Sequence, residues 1–224
     1  MQAIRKPEPY SLLEYQSREL RVFGVELRPL ADEGMPGILA GLRWVGRSPA
    51  FRDELTFLVV NLPDRVGSPD IAQLAECATA EGLSAKLCVV VSLCSRHPSR
   101  AIAQLKRNGI AVLLGGVGTD CRFSDMADRP LNGVVIDRAL LAQACGNPQA
   151  ASILDAIVAL ANNLGLKSFA NECATESELQ LALSAGVTYV CYASPRDDAG
   201  ALALLGAARR VYRDSGWRRP HRPS

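Results

Sequence analysis

The chain has no apolar run long enough to span a bilayer: runs such as Ile110-Ala111-Val112-Leu113-Leu114 fall far short of the roughly 20 residues a spanning helix needs. Nor has it a surplus of either charge. With 25 Lys and Arg against 23 Asp and Glu, its net charge is +2, which gives no support to a nucleic-acid partner. Its only histidines are His97 and His221. Neither adjoins a strand-end Ser or Cys in a recognisable elbow, so a nucleophilic triad has no support. The seven cysteines include no CxxC pair and are odd in number, unlike a disulfide framework, and read as reduced thiols. The opening 1–9 contains basic residues but no apolar stretch of the secretory type. The expectations are a cytoplasmic location, no membrane contact and no nucleic acid.

What is present is an ordinary globular balance, 48% hydrophobic and 21% charged over 224 residues, enough to bury the core of a single domain. Short apolar runs at 20–27, 56–62, 87–93, 110–114, 133–136, 166–170 and 188–192 read as strands. Most show no polar alternation, the mark of a parallel sheet covered on both faces. Helical patterns at 69–81, 98–108, 150–163 and 176–185 lie between them. Gly82, Gly109, Gly165 and Gly186 each follow such a helix and precede a strand, as helix stops do. Thr175 followed three residues later by Glu178 predicts a capping box. Repeated βα units of this length allow an α/β barrel or a doubly wound sheet, and pattern leaves both open. The stretch 32–52, rich in Gly and Pro, resists assignment. The tail 216–224, with three Arg and two Pro, reads as a basic flexible terminus after one domain over 1–215; contact with an anionic partner is the alternative.

Several strand ends carry a resemblance. Phe23-Gly24-Val25-Glu26-Leu27, after Tyr15-Gln16, resembles the "yQPi…GfEaLlR" opening of the bacterial EAL domain family, and Phe57-Leu58-Val59-Val60-Asn61-Leu62 its Asn-bearing strand. Gly109 to Thr119 resembles "Gv.ialDDFGTG", and Val134-Val135-Ile136-Asp137-Arg138 resembles "lKIDr". Leu164-Gly165-Leu166-Lys167 to Thr175 resembles "LGlkviAEGVET", and Ala185 to Val190 continues it toward "dyvQGY". The resemblance implies a TIM-like (β/α)8 barrel of the EAL type.

Active members of that family, as the resemblance implies, cleave cyclic di-GMP with two divalent cations at the C-terminal ends of barrel strands. Two such ions about 4 Å apart repel by on the order of 16 kcal/mol at an effective dielectric near 20, so several carboxylates are required. Glu26 and Asn61 stand at two of the family's metal-site positions. The "EiTE" strand reads Val89-Val90-Val91-Ser92-Leu93-Cys94, the paired Asp of DDFG has become Gly115-Gly116, and the Lys of "KID" is Val135, leaving Asp137. In the "AEGVE" segment, Ala170 precedes Asn171, Glu172, Cys173 and Ala174, so Glu172 sits between the two Glu positions. The Gln of "QGY" is set against Cys191. Where the family has an Arg after its first Glu this chain has Leu30, with Arg28 the nearest substitute for phosphate pairing.

The expectation is therefore a degenerate, catalytically inactive EAL-like module with neither metal nor cofactor, regulating through a protein partner, with a homodimer as a further option. The residual ligand positions are Glu26, Arg28, Asn61, Asp137 and Glu172; the bland alternative for Glu26 and Asn61 is a structural hydrogen bond at the barrel mouth. A non-hydrolysing cyclic di-GMP receptor is the first rival. A residual phosphodiesterase, or another barrel enzyme using Glu26 and Glu172 as acid and base, is the second. Cys94, Cys121, Cys173 and Cys191 could converge on a soft metal, but small buried hydrophobes are the stronger reading of these thiols. The loop Gly115 to Thr119 could be read as a phosphate cradle, but with no following Lys it reads rather as a flexible remnant.

Overall fold

The computed structural model describes residues 10–17, 22–29, 34–92, 98–118 and 126–192. Eight strands, β1 (Tyr10–Ser17), β2 (Val22–Pro29), β3 (Phe57–Asn61), β4 (Leu87–Ser92), β5 (Ala111–Val117), β6 (Gly133–Ile136), β7 (Lys167–Cys173) and β8 (Tyr189–Tyr192), close into a barrel in chain order. Residues 57–60 and 133–136 are buried without interruption, as the absence of polar alternation predicts for strands covered on both faces. The basic tail, and everything after Tyr192, lies outside the described residues.

Seven of the strands were expected; β1 was not. It runs antiparallel to both β2 and β8, whereas β2 through β8 pair in parallel. The first unit of the expected (β/α)8 pattern is thus a hairpin. Only residues 18–21 separate β1 from β2, too few for the helical crossover that a parallel pair requires.

Helices α1 (Gly34–Gly46), α2 (Pro49–Glu54), α3 (Ser68–Ala80), α4 (Pro98–Arg107), α5 (Arg138–Ala144), α6 (Pro148–Asn163) and α7 (Glu176–Ala185) surround the sheet. The stretch that resisted assignment is largely α1. Gly41 within it serves close packing: a Cβ there would lie 2.5 Å from Leu27 of β2. The four expected helix stops all adopt left-handed backbone, with φ of 68, 71, 70 and 88° at Gly82, Gly109, Gly165 and Gly186. At the start of α7 the Thr175 hydroxyl accepts from the Glu178 amide at 3.2 Å, and the Glu178 carboxyl reaches past the expected partner to the amide of Ala174 at 2.6 Å. Among the described residues, no helix is long and apolar enough to cross a membrane.

Among the described residues, apolar packing falls into three bodies. Two lie between sheet and helices, one in each half of the barrel. The third fills the barrel itself with Phe57, Val59, Val90, Leu113, Val135, Phe169 and Cys191. At its N-terminal end Phe57, Phe169 and Tyr189 form a plug, with ring centroids 4.9–5.7 Å apart. Gly24 makes room for it, since a Cβ there would lie 2.2 Å from the Phe57 ring.

Candidate functional site: the barrel mouth

At the opposite, C-terminal end of the strands, β2 sets Glu26 beside Val59 of β3. Glu26 has no solvent exposure, and a buried carboxyl group must be hydrogen-bonded to be tolerated. Asn61, two residues beyond Val59 and half-buried, donates from Nδ2 to Glu26 Oε1 at 2.5 Å. The structure thus brings these two expected site residues into direct contact.

Asp137 is placed differently. It is the N-cap of α5, accepting from the Ala139 amide at 2.7 Å while its own amide donates to the Val117 carbonyl. That is a helix-capping role. The backbones of Arg28 and Glu172 lie on β2 and β7; their side chains are outside the described residues.

Two β-bulges shape the rim. On β5, Leu114 pairs with Val134 and Val117 with Ile136, so Gly115 and Gly116 oppose a single residue. Gly116 within this bulge has a left-handed φ of 73°, a conformation open to glycine at little cost. On β7, Ala170 pairs with Val190 and Cys173 with Tyr192, so Asn171 and Glu172 oppose Cys191. Each bulge shifts the inward and outward alternation by one. Leu113 and Phe169 face the barrel interior, but Val117 and Cys173, four residues later, pack under the helices. Bulges of this kind cluster beside functional sites because they re-aim side chains at strand ends.

Beneath the rim the interior is apolar. Val90, Leu113 and Val135 are 5%, 1% and 5% exposed and share one cluster with Val59 and Cys191. Val135 occupies the position set against the family's Lys. Gly115 and Gly116, set against its paired Asp, provide no donor side chain. Among the described residues, no three His, Cys, Asp or Glu side chains gather as a metal site would require. Cys191 faces the interior and Cys173 the helical layer, on opposite sides of the sheet; these two thiols do not converge, and Cys94 and Cys121 lie outside the described residues. Burial pushes the Cys88 and Cys173 thiols up to about 12.

Compared with known families, the chain matches the EAL domain from residue 48 to residue 191, well over half its length. It belongs to the EAL domain family. The match begins after β2, so the equivalence of Glu26 rests on its place in the barrel. No curated protein matches the chain in sequence. Among solved structures, the EAL domain of Mycobacterium smegmatis DcpA superposes with a TM-score of 0.73 at 18% identity, over 89% of this chain and 96% of that one. The Xanthomonas citri FimX EAL domain in complex with cyclic di-GMP gives 0.66 at 13%, over 82% and 84%. Klebsiella pneumoniae BlrP1, in a manganese and cyclic di-GMP complex, gives 0.71 at 14%, over 86% of this chain and 56% of that one. At these identities the likeness is one of fold.

Proposed function

We propose that this EAL domain is a catalytically inactive regulatory module of cyclic di-GMP-type signalling that acts by binding a protein partner. The observation that carries the reading is the contrast at the mouth. The barrel, its closing hairpin and both rim bulges have the geometry of a functional strand end, while the positions set against the paired Asp and the Lys hold Gly115, Gly116 and Val135 over an apolar floor. Two divalent cations need several carboxylates to offset their mutual repulsion. On this reading Glu26 and Asn61 serve each other as a structural pair. The protein partner binds at the mouth or at the face through which two copies would associate.

The test is direct. Purified protein incubated with Mg²⁺ or Mn²⁺ and cyclic di-GMP is expected to release no linear product. Turnover that disappears in Glu26→Ala would refute the proposal.

A second reading is a receptor that holds cyclic di-GMP without cleaving it. What favours it is that structures of the same fold, FimX among them, were determined with this nucleotide bound. Against it stands Leu30 at the position of the family's Arg. Calorimetry separates the two: micromolar or tighter binding favours the receptor, whereas no heat together with a stable complex in pull-down favours the protein partner.

A further inference from the structure

The cation pair that the EAL fold implies does not suit the residues at this mouth, and the misfit extends beyond missing donors. Gly115 is the informative position. Unlike Gly116 it does not have the left-handed φ that favours glycine, so backbone conformation does not explain the absence of a side chain. Space does. A Cβ built on Gly115 would lie 2.8 Å from Val90 Cγ1, inside the separation real contacts show; the next nearest atom, the Val91 carbonyl oxygen, is at an ordinary 3.8 Å. Val90 has little freedom to retreat. It is 5% exposed, packed in one cluster with Leu113 and Val135, and β-branched residues are stiff at χ1.

We infer that Val90 closes position 115 to any side chain, so that the mouth excludes a metal-binding carboxylate there by packing as well as by sequence. Restoring Asp at 115 alone would then not rebuild a ligand, because Val90 must shrink first. The inference deepens the reading of the mouth as non-catalytic, yet its test needs neither nucleotide nor metal and can fail independently of that reading.

The experiment is a double-mutant cycle on the full chain, read by thermal unfolding. Gly115→Ala in the natural background is expected to lower Tm by several degrees, as overpacking a buried site does. In a Val90→Ala background the same change is expected to cost less than half as much. Equal losses in the two backgrounds, or no loss in the first, would overturn the inference. Gly116→Ala is the control. A Cβ there meets nothing within 4 Å but must adopt the left-handed backbone, so its loss is expected to be the same with and without Val90. If Gly115→Ala does not fold, a folded Val90→Ala/Gly115→Ala double variant gives the supporting result and an unfolded one the opposing result. A Gly115→Asp chain that retains Val90 and gains Mn²⁺ binding absent from the natural chain would also overturn it.

Discussion

Replacing Asn61 by Ala removes the amide that donates to Glu26 at 2.5 Å and leaves a fully buried carboxyl group short of that donor. A typical intramolecular hydrogen bond contributes about 0.5–1.5 kcal/mol net, and about 1.5–3 kcal/mol where one partner is charged. Because Glu26 is completely buried, little water can take the place of the lost donor, and the cost is expected to be about 1–3 kcal/mol. Glu26→Ala alone has the converse effect, depriving the Asn61 amide of its acceptor and removing packed methylenes. If the pair is a structural unit, the double variant avoids the cost of one orphaned group, and the two single losses will exceed their combined effect by roughly 1–3 kcal/mol. Chemical denaturation of the four chains, with unchanged m-values as the check on two-state behaviour, measures this coupling. For a chain of this size it corresponds to roughly 2–12 °C in Tm. Additive losses, with coupling below about 0.5 kcal/mol, would show that the contact contributes nothing beyond its parts and would refute the structural reading of the pair.

The thiols give a pH prediction. Cys88 and Cys173, pushed up to about 12 in the folded chain, remain protonated there, while unfolded cysteines ionise near 9.0. The unfolded chain therefore loses protons first, and stability is expected to fall as pH rises from about 9 to about 12, by on the order of a few kcal/mol. Cys88→Ala should flatten the slope in denaturant titrations across that window, and an unchanged slope would contradict the assignment. At fixed pH, Cys145, which is exposed, should react with a thiol reagent before Cys88 or Cys173, as read by mass spectrometry of the labelled chain. Thr175→Ala should cost about 1 kcal/mol by removing the hydroxyl that caps α7, measured by denaturant unfolding. Glu178→Ala should cost at least as much, since its carboxyl is buried while bonding the Ala174 amide.

The parts of this fold open to reading from sequence are those in which one residue's chemistry determines its own place. Residues 57–60 and 133–136 read as strands covered on both sides because they lack polar alternation, and Gly82, Gly109, Gly165 and Gly186 mark helix ends because the left-handed turn is costly for other residues. Where a residue's role depends on a neighbour distant in sequence, the signal is lost. Gly37 and Gly41 look like breakers, yet they lie inside α1, and the Gly41 side that meets Leu27 is visible only once helix and strand are packed. The rim bulges exist only as a mismatch between paired strands, so no inspection of β5 or β7 alone would find them. Val90 is the sharpest case. It stands between Val89 and Val91, indistinguishable from either by composition, and only strand parity turns it inward over Gly115 while its neighbours pack under the helices. A missing carboxylate can be read from the letter Gly; the methyl group that blocks its return has to be found in three dimensions.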